Sequence, residues 1–166
     1  MKTIEGRAWA YGANIDTDAL APIGSYSGTG DLSVGAGQCL RDLDPNFAKS
    51  VVEGDVFVAT DNMGIGSSRE MAPMFLHTLG IRCVLAHSFA RIFYRNCFNI
   101  GLPALVCAEA GQIKMGDVIK VDPASGKVTN ETQGTTYQCQ PIPEHLMGIV
   151  EAGGLMPYLE KRLKAG

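Results

Sequence analysis

Three short apolar runs, "DVFVAT" (55–60), "RCVLA" (82–86) and "PALVC" (103–107), are separated by two stretches with helical hydrophobic spacing. In the first stretch Met71, Met74, Phe75 and Leu79 recur at helical intervals, and Gly80 stands where a C-terminal glycine cap belongs. In the second, Phe89, Ile92, Phe93 and Cys97 share one face and Gly101 marks the stop. Runs so short and so apolar read as strands buried on both faces. Strand, helix, strand, helix, strand in tight succession leads to parallel pairing with right-handed crossovers, hence an α/β fold class with a parallel-sheet core. Pro73 fits a helix only in its first turn, which places the helix start near Ser67 or Ser68.

Texture changes on either side of this core. "DVIKVDPASGKVTNETQGTTYQCQPI" alternates apolar and polar residues around Gly and Pro turns, the pattern of additional antiparallel strands. The last segment, "PEHLMGIVEAGGLMPYLEKRLKAG", reads as two short helices broken at Gly153 and Gly154. Residues 24–37, "GSYSGTGDLSVGAG", are rich in Gly and Ser and are expected to form a mobile loop. With 166 residues, no internal repeat and no low-complexity linker, residues 1–166 are expected to form one domain.

Composition narrows the function. A net charge of −3 with 19% charged residues gives no electrostatic footprint for nucleic acid or an anionic membrane. The start of the chain lacks an apolar leader, and no run approaches the roughly 18 apolar residues of a membrane span, so a cytoplasmic protein is expected. The five cysteines are scattered without a C-x-x-C pair and read as buried free thiols. His77, His87 and His145 show no ligand spacing either, so no metal is expected on this chain.

Chemistry concentrates in "MGIGSSREMAP" (63–73). A helix start behind glycines offers unpaired N–H groups and a positive dipole end to an anion. Arg69 adds a bidentate donor for carboxylate, the hydroxyls of Ser67 and Ser68 can donate or take a proton, and Glu70 can complete a capping box with the Ser67 region. Singly, Ser67 reads as an N-cap and Arg69 and Glu70 as solvated first-turn residues. The conjunction points to a small carboxylate, because the loop matches neither a phosphate-binding Walker sequence nor a nucleophile elbow.

"GANIDTDALAPIG" (12–24) imitates the opening of a calcium loop through Asn14, Asp16 and Asp18. Ala19 and Ser25 stand where the glycine and glutamate of that loop belong, so an EF-hand is rejected. Asp16 fits an Asx turn, while Asp18, nearer the Gly/Ser loop, keeps a functional reading. His87 and Ser88 sit at a strand-to-helix junction, where Ser88 reads as a cap and His87 as structural. Arg91 and Arg95, four apart, read as surface stems or interface partners.

"NIDTD", "GDVFVATDNMGIGSSRE", "SFARIFYRNCFNIGLP" and "EAGGLMPYLEKRL" occur in the order and at about the spacing of the 3-isopropylmalate dehydratase small-subunit family, which is similar to the swivelling C-terminal domain of aconitase. The resemblance covers essentially the whole chain. It implies a swivelling β/β/α three-layer domain without an iron–sulfur cluster, closing over a large subunit that carries a [4Fe–4S] cluster. It further implies that Ser67 is the base, that Ser68 and Arg69 hold a carboxylate of a small dicarboxylic acid, and that Asp18 is the active-site aspartate. Removing a proton beside a carboxylate and expelling hydroxide calls for an electrophile, which the partner's cluster iron would supply. The helix N-terminus and Arg69 would stabilise the serine alkoxide.

Where the family commonly reads GCGSSREHAP, Ile65 and Met71 replace the cysteine and histidine. The family's selectivity loop is here "APIGSYSGTG", and no Lys or Arg occurs between Arg7 and Arg41. A third substrate carboxylate would want a cation there, so the expected substrate is an alkyl-substituted malate and not a tricarboxylate. Other readings are a subunit for a homoaconitate, citramalate or dimethylmalate type of acid, and a stand-alone carboxylate-binding module.

Overall fold

Strand β1 (Ile4–Ala10) runs through the middle of a mixed sheet that has seven strands among the described residues of the computed structural model, which describes residues 2–26 and 30–166. Three short helices follow it, α1 (Thr17–Leu20), α2 (Leu32–Ala36) and α3 (Phe47–Ser50). The parallel core is β2 (Val56–Val58), α4 (Met71–Leu79), β3 (Cys83–Ala86), α5 (Arg91–Asn99) and β4 (Ala104–Val106). Then come β5 (Val118–Asp122), β6 (Lys127–Asn130), β7 (Thr135–Gln138), α6 (Glu144–Ala152) and α7 (Leu155–Ala165).

The sheet order is β4-β3-β2-β1-β5-β6-β7. Ala8, Trp9 and Ala10 pair in parallel with Val56, Phe57 and Val58, whereas Ile4 to Arg7 pair antiparallel with residues 121 to 118 of β5. One strand thus lends different residues to a parallel half and an antiparallel half. β2 and β3 are buried along their whole length, as strands covered on both faces must be, and β5 alternates. This is the α/β architecture, parallel core plus antiparallel strands, that the apolar runs imply.

β1 itself gives no such signal, because Glu5, Gly6 and Arg7 interrupt it. Its place is set by contacts distant in sequence. Asp55, only 1% exposed, accepts from Arg7 N at 3.1 Å, Trp9 Nε1 at 2.9 Å and Val52 N at 3.0 Å, so its buried charge is well supplied with donors. A Cβ on Gly6 would collide with the Gly54 carbonyl, so the turn before β2 approaches β1 only because residue 6 has no side chain.

Three local expectations are corrected. Helix α4 starts at Met71, not near Ser67, with Pro73 at its third position and Gly80 in the left-handed conformation at φ 119° after its end. Its buried face is Ala72, Phe75 and Leu76, while Met71, Met74 and Leu79 are half-buried. Helix α5 buries Phe93, Cys97 and Phe98 as well as Asn96, but Ile92 is 46% exposed. Ser88 does not cap α5: its hydroxyl accepts from Asn62 N at 2.9 Å and ties two loops together.

Within 24–37, residues 32–36 form α2, capped by the Asp31 carboxylate on Ser33 N, with Gly35 set against the Phe75 ring of α4. That part is helix, not loop; residues 27–29 of the expected loop lie outside the described residues. The two C-terminal helices break where expected, at Gly153 (φ 93°) and Gly154 (φ 129°). All five thiols are free and buried, and burial pushes the Cys83 and Cys97 thiols far up, which leaves them unreactive. Among the described residues no helix is long and apolar enough to cross a membrane.

Candidate active site

β1 and β2 are parallel neighbours, so the loops leaving their carboxyl ends emerge side by side, at the edge where open α/β sheets place their ligands. The loops are zipped together. Tyr11 N donates to Val58 O at 2.8 Å, Asn14 N to Asp61 O at 2.8 Å, Gly64 N to Ile15 O at 2.7 Å and Thr17 N to Ile65 O at 2.8 Å. Asn14 and Asn62, both left-handed (φ 59° and 58°), join through their amides at 3.0 Å.

This pairing answers why glycines precede the serines. Gly64 (φ 83°) leaves no room for a Cβ, which would fall into the Phe93 ring, and Gly66 (φ 114°) would bring one to 2.9 Å from Thr17 Oγ1. Both adopt backbone conformations that other residues resist. The same pairing holds residues 65–69 out of helix, which is why α4 starts late. Ser67 is therefore not at a helix N-terminus, and the dipole expected beneath it is absent.

Ser67 has a different partner. Its N–H donates to Thr17 Oγ1 at 3.1 Å, and its own Oγ lies 3.2 Å from the same hydroxyl. Thr17 is 1% exposed, whereas Ser67 and Ser68 face solvent. Glu70 forms no capping box, since α4 has no side-chain cap bond and the Ser67 hydroxyl is with Thr17. Ser68 has no protein partner among the described residues.

Arg69 is clamped from α1. Nη1 donates to Ala21 O at 2.8 Å, and Nη2 lies 3.0 Å from Asp18 Oδ1. Asp16 caps α1 by accepting from Ala19 N at 2.7 Å, which is the local turn expected of it. Asp18 and Arg69, separate candidates in the sequence, thus form one unit, and the Ser67 and Thr17 hydroxyls belong to the same pair of loops. Arg69 also lines a cleft of about 310 Å³ with residues 21–26 and Met71, at whose edge Ile23 is 76% exposed.

The remaining candidates stand apart. His87 accepts from Gly111 N at Nε2 (3.2 Å) and turns Nδ1 toward Asp61 at 3.5 Å, a fixed structural position. Arg91 and Arg95 are exposed on α5. No group of three or more His, Cys, Asp or Glu that could hold a metal exists among the described residues. Thr17 is the site residue that sequence reasoning missed, for its role arises only from pairing with a residue fifty positions away.

A family model for the aconitase C-terminal domain matches residues 44–110, from α3 through both parallel crossovers. The 3-isopropylmalate dehydratase small subunit of Heliobacterium modesticaldum is 45% identical over 162 residues, covering 97% of each chain. The 2,3-dimethylmalate dehydratase small subunit of Eubacterium barkeri is 46% identical over 156 residues, covering 93% of this chain and 95% of its own. The crystal structure of 3-isopropylmalate dehydratase from Methanocaldococcus jannaschii superposes with a TM-score of 0.92 at 41% identity, covering 99% of this chain and 97% of that one. Likeness of this degree along nearly the full length shows that the chain belongs to the 3-isopropylmalate dehydratase small-subunit family, of the aconitase C-terminal-domain type.

Proposed function

We propose that the chain is the small subunit of a heteromeric hydro-lyase that interconverts 2- and 3-isopropylmalate through 2-isopropylmaleate, as in leucine biosynthesis. The observation that carries this is the Arg69 guanidinium, held by Ala21 O and Asp18, two residues along the chain from the Thr17-bonded hydroxyl of Ser67. Fixing two of its edges in advance leaves the rest of the guanidinium aimed at a substrate carboxylate, with its rotamer entropy already spent. Ser68, exposed and unpartnered among the described residues, offers a second donor to the same carboxylate.

Ser67 takes the proton next to that carboxylate. A serine does so only as a stabilised alkoxide, and Thr17 is placed to donate to Ser67 Oγ while accepting from Ser67 N–H. Accepting that N–H polarises the Thr17 hydroxyl and strengthens what it donates. Arg69 adds a positive charge two residues away. Asp18 sets the guanidinium's position and is displaced on one edge if the substrate competes for it.

The reading places a [4Fe–4S] cluster on the large subunit, where it would supply Lewis-acid chemistry for loss of the substrate hydroxyl. This chain does not fit it, since no group of three or more His, Cys, Asp or Glu gathers among the described residues. The reading also takes residues 1–166 as one domain that swivels over the large subunit, and locates the pair in the cytoplasm.

An alkylmalate is favoured over a tricarboxylate by the cleft beside Arg69, whose 21–26 wall has the exposed apolar Ile23 and no cation. The Eubacterium barkeri relative, as similar as the others, keeps a dimethylmalate-type acid as the second reading. The test is anaerobic co-expression with the large subunit and a panel of 2-isopropylmalate, 2,3-dimethylmalate, citramalate, homocitrate and citrate. Turnover confined to alkylmalates supports the proposal, and the preferred acid decides between the two. A chain that binds carboxylates but never acquires a partner or turnover is a free-standing binding module.

A further inference from the structure

Next to the substrate grip, Glu70, Asn96, Asn99, Ile100, Leu155 and Met156 enclose a second cavity, of about 250 Å³. Its lining includes Glu70, the residue after Arg69, with the end of α5 and the start of α7. Asn96 is only 8% exposed, and its side-chain amide has no hydrogen-bond partner among the described residues. No fully buried side-chain N or O atom there lacks a partner, so the Asn96 amide reaches the cavity and is left for something that enters it. Glu70 is exposed and forms no ion pair among the described residues, and Asn99 brings a second amide.

The Glu70 carboxylate and the carboxamides of Asn96 and Asn99, each able to present its oxygen, share this cavity with the apolar side chains of Ile100, Leu155 and Met156, a lining that suits a cation on a hydrocarbon stem. The start of α7, which has no side-chain cap, opposes a cation with about half an elementary charge, less than the full charge of Glu70. An apolar ridge leads to the opening. Met156 (66% exposed), Leu159 (42%) and Leu163 (81%) recur along one side of α7, and Ile92 (46%) lies one turn before Asn96 on α5.

We propose that this cavity is a socket for a basic side chain of the large dehydratase subunit, arginine by preference, with the α7 ridge packing around it. The proposal rests on the subunit reading above. It follows from continuity, since the partner that completes the chemistry at Ser67 and Arg69 must cover the surface that begins at Glu70. An arginine anchored among carboxamides and ringed by Met and Leu is also the composition of an interface hot spot.

The test titrates the large subunit with wild-type chain, Glu70→Gln, Glu70→Lys and Asn96→Leu, reading association by interferometry and turnover at saturation. Glu70→Gln should weaken association about tenfold and Glu70→Lys further, with kcat at saturation unchanged for Glu70→Gln. Exposed Glu70 carries the test if Asn96→Leu misfolds. Unaltered association of both Glu70 variants overturns the socket, and tighter association of Glu70→Lys shows that it takes an acidic group instead. Self-association of the chain alone, weakened by Glu70→Gln, would make the occupant a second copy. Failure of the wild-type chain to bind any large subunit would instead overturn the subunit reading, and the socket with it.

Discussion

Asp18 Oδ1 and Arg69 Nη2 lie 3.0 Å apart, so the protein's own carboxylate rests on the guanidinium proposed above to hold a substrate carboxylate. The pair is exposed, with 32% of the Arg69 side chain and 61% of that of Asp18 open to solvent. Such a pair adds about 1 kcal/mol or less to stability, so its value is positional. Asp18→Asn should change the unfolding free energy by less than about 1 kcal/mol while raising KM several-fold in the reconstituted enzyme. Equal thermal shifts with unchanged KM would deny Asp18 that part.

Arg69→Lys should lower kcat/KM by about tenfold or more, because one ammonium cannot face Ala21 O, Asp18 and a substrate together. Steady-state kinetics on the reconstituted pair, with assembly checked by gel filtration, decides it.

Ser67→Ala should cut kcat by about 10² to 10⁴-fold with fold and assembly intact. Thr17→Val separates the base from its support: it leaves the Ser67 N–H and hydroxyl without their shared partner, and should lower kcat and move the ascending limb of the pH profile to higher pH, while Thr17→Ser restores both. A Thr17→Val enzyme that is merely less stable, with an unmoved pH profile, would reduce Thr17 to packing.

Gly66→Ala should destabilise the fold by about 1 to 3 kcal/mol, since it forces a left-handed alanine against Thr17 Oγ1. Denaturant midpoints read this directly, and the Asp16 to Ile65 pairing should loosen first in hydrogen exchange.

His77 on α4 is held below its ordinary pKa of 6.5, first by burial and then by the Arg82 charge, against a smaller opposing effect of Glu53. The unfolded chain therefore binds the proton more readily than the native one. Stability is full above pH 6.5 and declines as pH falls through that value toward the native pKa. Urea midpoints at neutral and mildly acidic pH should show a smaller drop for His77→Gln than for the wild-type chain.

The parallel core was legible because β2 and β3 are sealed on both faces, and β4 all but Val106, so that they consist of little but apolar residues. β1 was not, since Glu5, Gly6 and Arg7 break its apolar run and its place depends on Asp55 and on the closeness of Gly6 to Gly54. The motif around Ser67 stands out by its composition, yet that composition does not carry its local form. Helical spacing from Ser67 onward is overruled by pairing with Asp16 and Thr17, a tertiary effect no local pattern carries. Family likeness pointed to Ser67, Ser68, Arg69 and Asp18, whereas Thr17 and the Asp18 to Arg69 contact emerge only from the fold.

β1 hands Ala8 to Ala10 to one half of the sheet and Ile4 to Arg7 to the other. Both loops of the site spring from the first half. The β6 to β7 turn, exposed over residues 131–134, belongs to the second. Extra residues, a tag or a fused domain introduced at that turn would be borne by the half of the sheet from which neither loop of the candidate site springs.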